Sequence, residues 1–191
     1  CTTFLKTIAN DTKSYSSVKS TIHYGHIPAS EQSSRYRGEV VCCLEEDVHF
    51  PALTVWRTVV FALLNKTRKR GEDTLPLVAR TLLRVFELSH TVNTFVGDVY
   101  PRGVSGGERK RVCAVLLIAD SSANLNVICW NNSTRGLDSS TALDFARSLR
   151  TLTDISNRAT LVALYQTGES IYGLFSKVLL IHSGKCIYYR P

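Results

Sequence analysis

The sequence of 191 residues contains no methionine, neither at its first position, which is Cys1, nor inside. A translated chain starts with one, so the expectation is a piece of something longer. It also lacks any apolar stretch close to the eighteen or so residues that cross a bilayer. The longest run, Val112 to Ala119, stops at Asp120. No basic-then-apolar start reads as a secretory leader, and membrane work is expected of other segments or partners. The six cysteines, at positions 1, 42, 43, 113, 129 and 186, form no CxxC pair and have no histidine at zinc spacing. No metal cluster is therefore expected. The apolar neighbours of Cys42, Cys43, Cys113 and Cys129 predict buried free thiols in a cytosolic protein. The basic run Lys66–Arg70 has no interleaved aromatics, so nucleic acid is not expected as a partner.

What is present points to a globular α/β chain. At 44% hydrophobic and 20% charged residues, disorder, collagen and coiled coil are disfavoured. The length suits one domain with a subdomain. A net charge of +7 permits contact with phosphate or acidic lipid and proves neither.

Along the chain, 2–10 reads as a short helix with Phe4, Leu5 and Ile8 on one face. A β-like run, Val18–Tyr24, closes at Gly25, and a Ser-rich connector over 30–34 follows. Gly38–Leu44 is a strand candidate. Thr54–Leu64 has helical spacing of Val55, Val59 and Leu63, with Thr54 as cap. Leu75–Leu88 is an amphipathic helix that tolerates Pro76 only in its first turn. Strand and helix then alternate: Asn126–Trp130, a helix Ser139–Leu152 with Leu143, Ala146 and Leu149 inward, Thr160–Tyr165, a short helix Glu169–Phe175, Lys177–His182 and Cys186–Tyr189. Such alternation predicts a mainly parallel sheet. The expected organisation is α/β ends, 1–50 and 126–191, around a helical stretch, 51–125.

Val104-Ser105-Gly106-Gly107-Glu108-Arg109-Lys110-Arg111 stands directly before an apolar helix. Two glycines let a backbone approach a ligand closely. A helix start behind them offers free N–H groups and a positive dipole end to a phosphate, and Ser105 adds a hydroxyl. The plainer alternative is a Gly-Gly loop with a helix cap.

VSGGERKRV resembles the signature loop of ATP-binding cassette proteins. Twenty residues on, Asn131-Asn132-Ser133-Thr134-Arg135-Gly136-Leu137-Asp138 resembles their Walker B and D-loop region. WNNSTRGLDSSTALDFARSLR, GEVVCCLEEDVHFPALTV and YQTGESIYGLF together are similar to the first nucleotide-binding domain of fungal pleiotropic drug resistance transporters. The resemblance implies a P-loop NTPase-like cassette core with a mostly parallel sheet, an inserted helical subdomain and missing N-terminal strands. Cys1-Thr2-Thr3 then matches the end of the phosphate loop, with Cys1 where most NTPases have Lys. Lacking strands, the piece expressed alone is expected to aggregate or stay partly unfolded.

The family's chemistry implies ATP and Mg²⁺ as ligands. Nucleotide contacts fall on Cys1, Thr2, Thr3, Glu45 (the Q-loop position), Val104, Ser105, Gly106, Gly107, Glu108 and Asp138. Thr2 and Asn131 fall at a weak Mg²⁺ site, Asn132 at the general-base position and Tyr165 at the switch-histidine position. Losing the lysine's charge-assisted hydrogen bond at Cys1 costs roughly 1.5–3 kcal/mol. Losing the base at Asn132 is worth about 10²–10⁴ in rate. Asn132 and Tyr165 recur in the family's first domain, whereas Asn131 departs from its usual Asp. The implied partners are a second nucleotide-binding domain, whose hydrolytic site the loop 104–108 completes, and the transmembrane domains of the same transporter, at the cytosolic face of a membrane. A non-catalytic gene remnant is the alternative.

Overall fold

The structure is a computed structural model that describes residues 1–36, 38–43, 49–66, 74–98, 102–120, 127–165 and 167–190. Helix α1, Thr2–Ile8, opens the chain and buries Leu5. Phe4, expected on the same inward face, is instead 41% exposed. Beyond α1, Asn10 takes a left-handed turn (φ 61°) and its Nδ2 donates to the Ala29 carbonyl at 2.8 Å. The expected strand Val18–Tyr24 shrinks to β1, His23–Tyr24, paired antiparallel with β2, Ile27–Pro28. Beyond Pro28 the Ala29 amide still donates to the Ile22 carbonyl at 3.1 Å, but the chain turns directly into α2, Ala29–Arg35, which ends the pairing. The Tyr24 hydroxyl donates to the Ile8 carbonyl, tying this hairpin to the end of α1.

The parallel sheet consists of β3 (Val40–Cys43), β4 (Val127–Asn131) and β5 (Ala159–Ala163), in that spatial order, with Cys42, Cys129 and Leu161 in one row. Side chains alternate across a strand, so β4 serves two layers. Cys129 packs with Leu5 and Ala163 under α1. Ile128 and Trp130 join the larger core on the opposite face. There the Trp130 ring meets Phe145 edge-on, centroids 5.9 Å apart. A strand covered on both faces reads as a continuous apolar run, and VICW is one.

The larger core is completed by helices. α3 (Val55–Lys66) buries Val55, Val59 and Leu63 at the expected spacing, and Thr54 Oγ1 accepts from the Arg57 amide at 3.3 Å. α4 (Leu75–Val85) carries its proline in the first turn and buries Leu75, Ala79 and Leu83. A 3-10 turn, Ser89–Thr91, leads on to α5 (Gly106–Asp120) and α6 (Ser139–Ser156). α6 buries Ala142, Phe145, Ala146, Ser148 and Leu149, whereas Leu143 is only half-buried. The Ser148 hydroxyl donates to the Val85 carbonyl at 3.1 Å, joining α6 to the end of α4. A single turn of helix, α7 (Glu169–Tyr172), is shorter than expected and precedes the hairpin β6 (Val178–His182) and β7 (Lys185–Arg190). β7 is exposed along its whole length, so Tyr188 and Tyr189 lie outside the core.

Candidate functional site

In parallel α/β sheets ligands collect at the carboxyl ends of the strands. β4 ends there at Asn131, which is buried. Strand alternation puts Asn131 on the same face as Cys129, under α1, and the first turn of α1 meets it. Thr2 Oγ1 donates to Asn131 Oδ1 at 3.1 Å, across 129 residues of sequence. The next residue, the buried Asn132, adopts a left-handed backbone (φ 54°), which Asn tolerates better than most residues. The Ser133 hydroxyl behind it is buried without a partner among the described residues. Cys1 is the exposed N-cap of α1 and makes no side-chain cap bond. Thr3 is exposed, and its carbonyl accepts from Thr7 Oγ1 at 2.8 Å. Tyr165, just past β5, is also exposed. Glu45 lies outside the described residues.

The side chains meeting at this corner, Thr2 and Asn131, are neutral, and so is the neighbouring Asn132. Mg²⁺ prefers an octahedron of oxygens that includes at least one carboxylate. Thr2 and Asn131 offer one hydroxyl and one amide oxygen, already bonded to each other. Among the described residues no group of three His, Cys, Asp or Glu side chains could hold a metal ion. The donor set therefore fits Mg²⁺ poorly. Asn132 has an amide without useful basicity, so among the described residues that meet here no carboxylate stands ready to activate water.

The start of α5 is built differently. Its approach is threaded between backbones. Val104 N–H donates to the Phe95 carbonyl at 3.1 Å, Val96 N–H to Leu53 at 2.9 Å, and Gly97 N–H to Pro51 at 3.1 Å. Gly103 lies so close to this strap that a Cβ there would sit 2.3 Å from the Val96 carbonyl oxygen. Ser105 and Glu108 then form a reciprocal capping box. Ser105 Oγ accepts from the Glu108 amide at 3.2 Å, and Glu108 Oε2 accepts from the Ser105 amide at 2.7 Å. The other carboxylate oxygen, Oε1, takes His90 Nε2 at 2.8 Å. Partial burial alone would raise the Glu108 carboxyl. The Ser105 amide, the His90 ring and the Ser105 hydroxyl outweigh it and hold the group below its ordinary value.

The box corrects one sequence expectation. The Ser105 and Glu108 amides are consumed within the loop, so the turn does not offer every N–H outward. The groups left to donate are the Gly106 and Gly107 amides, which precede the first intrahelical bond. Ser105 and Gly106 are exposed and Gly107 is half-buried. Val104 is buried and anchors the loop. Gly107 also needs its missing side chain, since a Cβ there would lie 3.1 Å from Thr141 Cγ2 and 3.3 Å from Leu137 Cδ2.

That contact sets the loop beside the first turn of α6, where Asp138 is the N-cap. Its carboxylate accepts from Ser140 Oγ, from Thr141 Oγ1 at 2.6 Å and from the Thr141 amide at 3.1 Å. These donors, Ser140 first, hold Asp138 ionised far below the usual carboxylate range. Its charge serves its own helix start. Sequence reasoning missed two residues of this region. His90 stood among five scattered histidines, and nothing local marks it. Gly103 is a glycine without a turn, and only the three-dimensional strap reveals why it is one. The Ser-x-x-Glu spacing of the capping box was readable, and went unread.

The fold matches that of the ATP-binding cassette MJ0796, solved as a dimer in a post-hydrolysis state bound to ADP and Pi. The TM-score is 0.73 at 17% identity, over 99% of this chain and 79% of that one. The architecture is thus that of a P-loop NTPase cassette. The ABC transporter family model matches residues 1–125, and the chain belongs to that family. It is 53% identical over its full length to the ABC multidrug transporter atrF of Aspergillus fumigatus and covers 12% of that protein. It is 42% identical to the ATP-dependent permease PDR12 of Saccharomyces cerevisiae, over 13% of its length. The chain therefore spans about an eighth of the curated relatives it matches.

Proposed function

We propose that the chain is the nucleotide-binding domain of a pleiotropic-drug-resistance-type efflux transporter, and that its two candidate regions do unequal work. Its own site, with Cys1, Thr2, Thr3, Asn131, Asn132, Glu45 and Tyr165, binds ATP weakly or holds it without turnover. Its loop Val104–Glu108 completes the ATP site of a second nucleotide-binding domain, where hydrolysis takes place. In this reading 1–50 and 126–191 belong to the ATP-binding core and 51–125 to the helical subdomain with the loop. The transporter's membrane domains hold the whole at the cytosolic face, and the chain alone does not hydrolyse ATP.

The observation that carries the proposal is the start of α5. A 15-residue helix presents a serine hydroxyl and two unbonded glycine amides at an exposed edge, held by the capping box. Such a turn suits a phosphate brought by another molecule. The test is ATP turnover by the full transporter. Ser105→Ala is expected to abolish it, while Cys1→Ser and Asn132→Ala leave it nearly unchanged. The reverse pattern would refute the proposal. The second reading, an inactive remnant, is favoured by the absence of a carboxylate at Asn131. It predicts no turnover in any assembly that contains this chain.

A further inference from the structure

We infer that His90 is a positioning residue for the Ser105–Gly106–Gly107 turn, acting through Glu108; the inference rests on the function proposed above. An ionised carboxylate can only accept hydrogen bonds, so His90 Nε2 carries the hydrogen of its 2.8 Å bond to Glu108 Oε1. That bond fixes one oxygen of the carboxylate. The other, Oε2, holds the Ser105 amide at 2.7 Å. With the amide so directed, Ser105 Oγ accepts from the Glu108 N–H, which fixes the exposed serine side chain at the start of the turn.

The post is itself rigid. Thr91 is buried beside His90, with Oγ1 bonded to the Leu88 carbonyl at 2.9 Å. The following backbone is pinned to the start of α3. Trp56 N–H donates to Val92 at 3.0 Å and Val55 N–H to Thr94 at 2.9 Å. The His90 side chain is 66% exposed, whereas Glu108's is 17% exposed. A mostly exposed ring contributes little to the core, yet it bonds a mostly buried carboxylate. Its removal should loosen the turn without unfolding the helices behind it.

The test compares Ser105→Ala, His90→Phe and His90→Gln in the full transporter, reading kcat, KM for ATP and the thermal midpoint. Phe keeps the ring and loses the donor; Gln keeps a donor of similar reach. We expect His90→Phe to lower kcat about three- to tenfold, the worth of one partly exposed charge-assisted bond. KM and Tm stay near wild type, because ATP is held mainly by the other domain, and His90→Gln recovers most of kcat. The inference falls if His90→Phe turns over normally while Ser105→Ala is dead, an outcome that leaves the proposed function standing. It also falls if Phe and Gln lose kcat equally, or if the loss of kcat follows a drop in Tm. An active Ser105→Ala transporter would remove the proposed function, and this inference with it.

Discussion

The corner under α1 and the start of α5 contain similar groups, hydroxyls and amides with glycine or asparagine beside them. They differ in where those groups point. At the corner, Thr2 Oγ1 and Asn131 Oδ1 are bonded to each other, and neither carries a charge to draw a cation in. At α5 the internal bonds run between Ser105 and Glu108, and they leave the Gly106 and Gly107 amides unspent. On the proposed reading, a cradle for phosphate would need its internal hydrogen bonds as much as its free ones. The first set fixes where the second set is aimed.

The largest expected effect tests the support of the second region. Gly103→Ala places a methyl 2.3 Å from the Val96 carbonyl oxygen and 2.6 Å from Gly97 Cα. Both neighbours are backbone, held by Val96 N–H to Leu53 and Gly97 N–H to Pro51, so neither can yield cheaply. The cost is expected to be roughly 3 kcal/mol or more, seen as a fall in the thermal midpoint and in the yield of folded transporter. An unchanged midpoint would mean that the strap does not hold the loop.

Next in size is a change meant to convert the first region into a working site. Asn131→Asp returns a carboxylate to the end of β4, facing Thr2. If missing charge is what keeps the corner from holding a cation, the gain is about 1.5 kcal/mol, or roughly tenfold in affinity. Mn²⁺ binding in the presence of an ATP analogue, read by electron paramagnetic resonance on the intact transporter, would report it. No gain would shift the cause from charge to geometry.

Much of this molecule could be read from its residues, and the rest failed for identifiable reasons. Val55, Val59 and Leu63 announced α3 because an amphipathic helix repeats its apolar face. VICW announced β4 because a strand buried on both faces carries no polar alternation. Family resemblance alone put Thr2 and Asn131 at one Mg²⁺ position, and their bond to each other had no local signal, since the two are 129 residues apart. The run Val18–Tyr24 misled because β-branched composition says nothing about whether a partner strand exists. The segment that would pair with it is helix α2. His90 was invisible for the same reason as the Thr2–Asn131 bond, because its partner is 18 residues away, beyond the reach of any helical or strand periodicity.

A smaller effect concerns Glu108. Its carboxyl lies below its ordinary value of 4.5 in the folded state. The stabilisation it gives is present above that ordinary value and is lost as pH falls through the lower, folded one. The capping box as a whole is worth about 1 kcal/mol. Protection of the Ser105 amide from hydrogen exchange should therefore fall as pH drops below that ordinary value, beyond the intrinsic pH dependence of exchange. In Glu108→Gln the amide oxygen still accepts, but it cannot titrate, so protection should be lower and flat over that range. An equally steep fall in both proteins would assign the titration to another group.

The last effect is a rate rather than a stability. Burial, with Cys42 beside it in the sheet, pushes the Cys129 thiol up to about 12, whereas Cys186 is exposed on β7. At pH 8 the thiolate fraction of Cys129 is about one in ten thousand, and Leu5 of α1 covers it. A maleimide should label Cys186 within minutes and reach Cys129 only when α1 lifts from β4. Thr2→Val removes the hydroxyl that joins those two elements at Asn131. Losing about 1 kcal/mol there should speed labelling of Cys129 about fivefold and leave Cys186 unaffected. If Cys129 labels as fast as Cys186 in the unaltered protein, the corner is open, and the contrast between a self-satisfied site and an outward-facing one disappears.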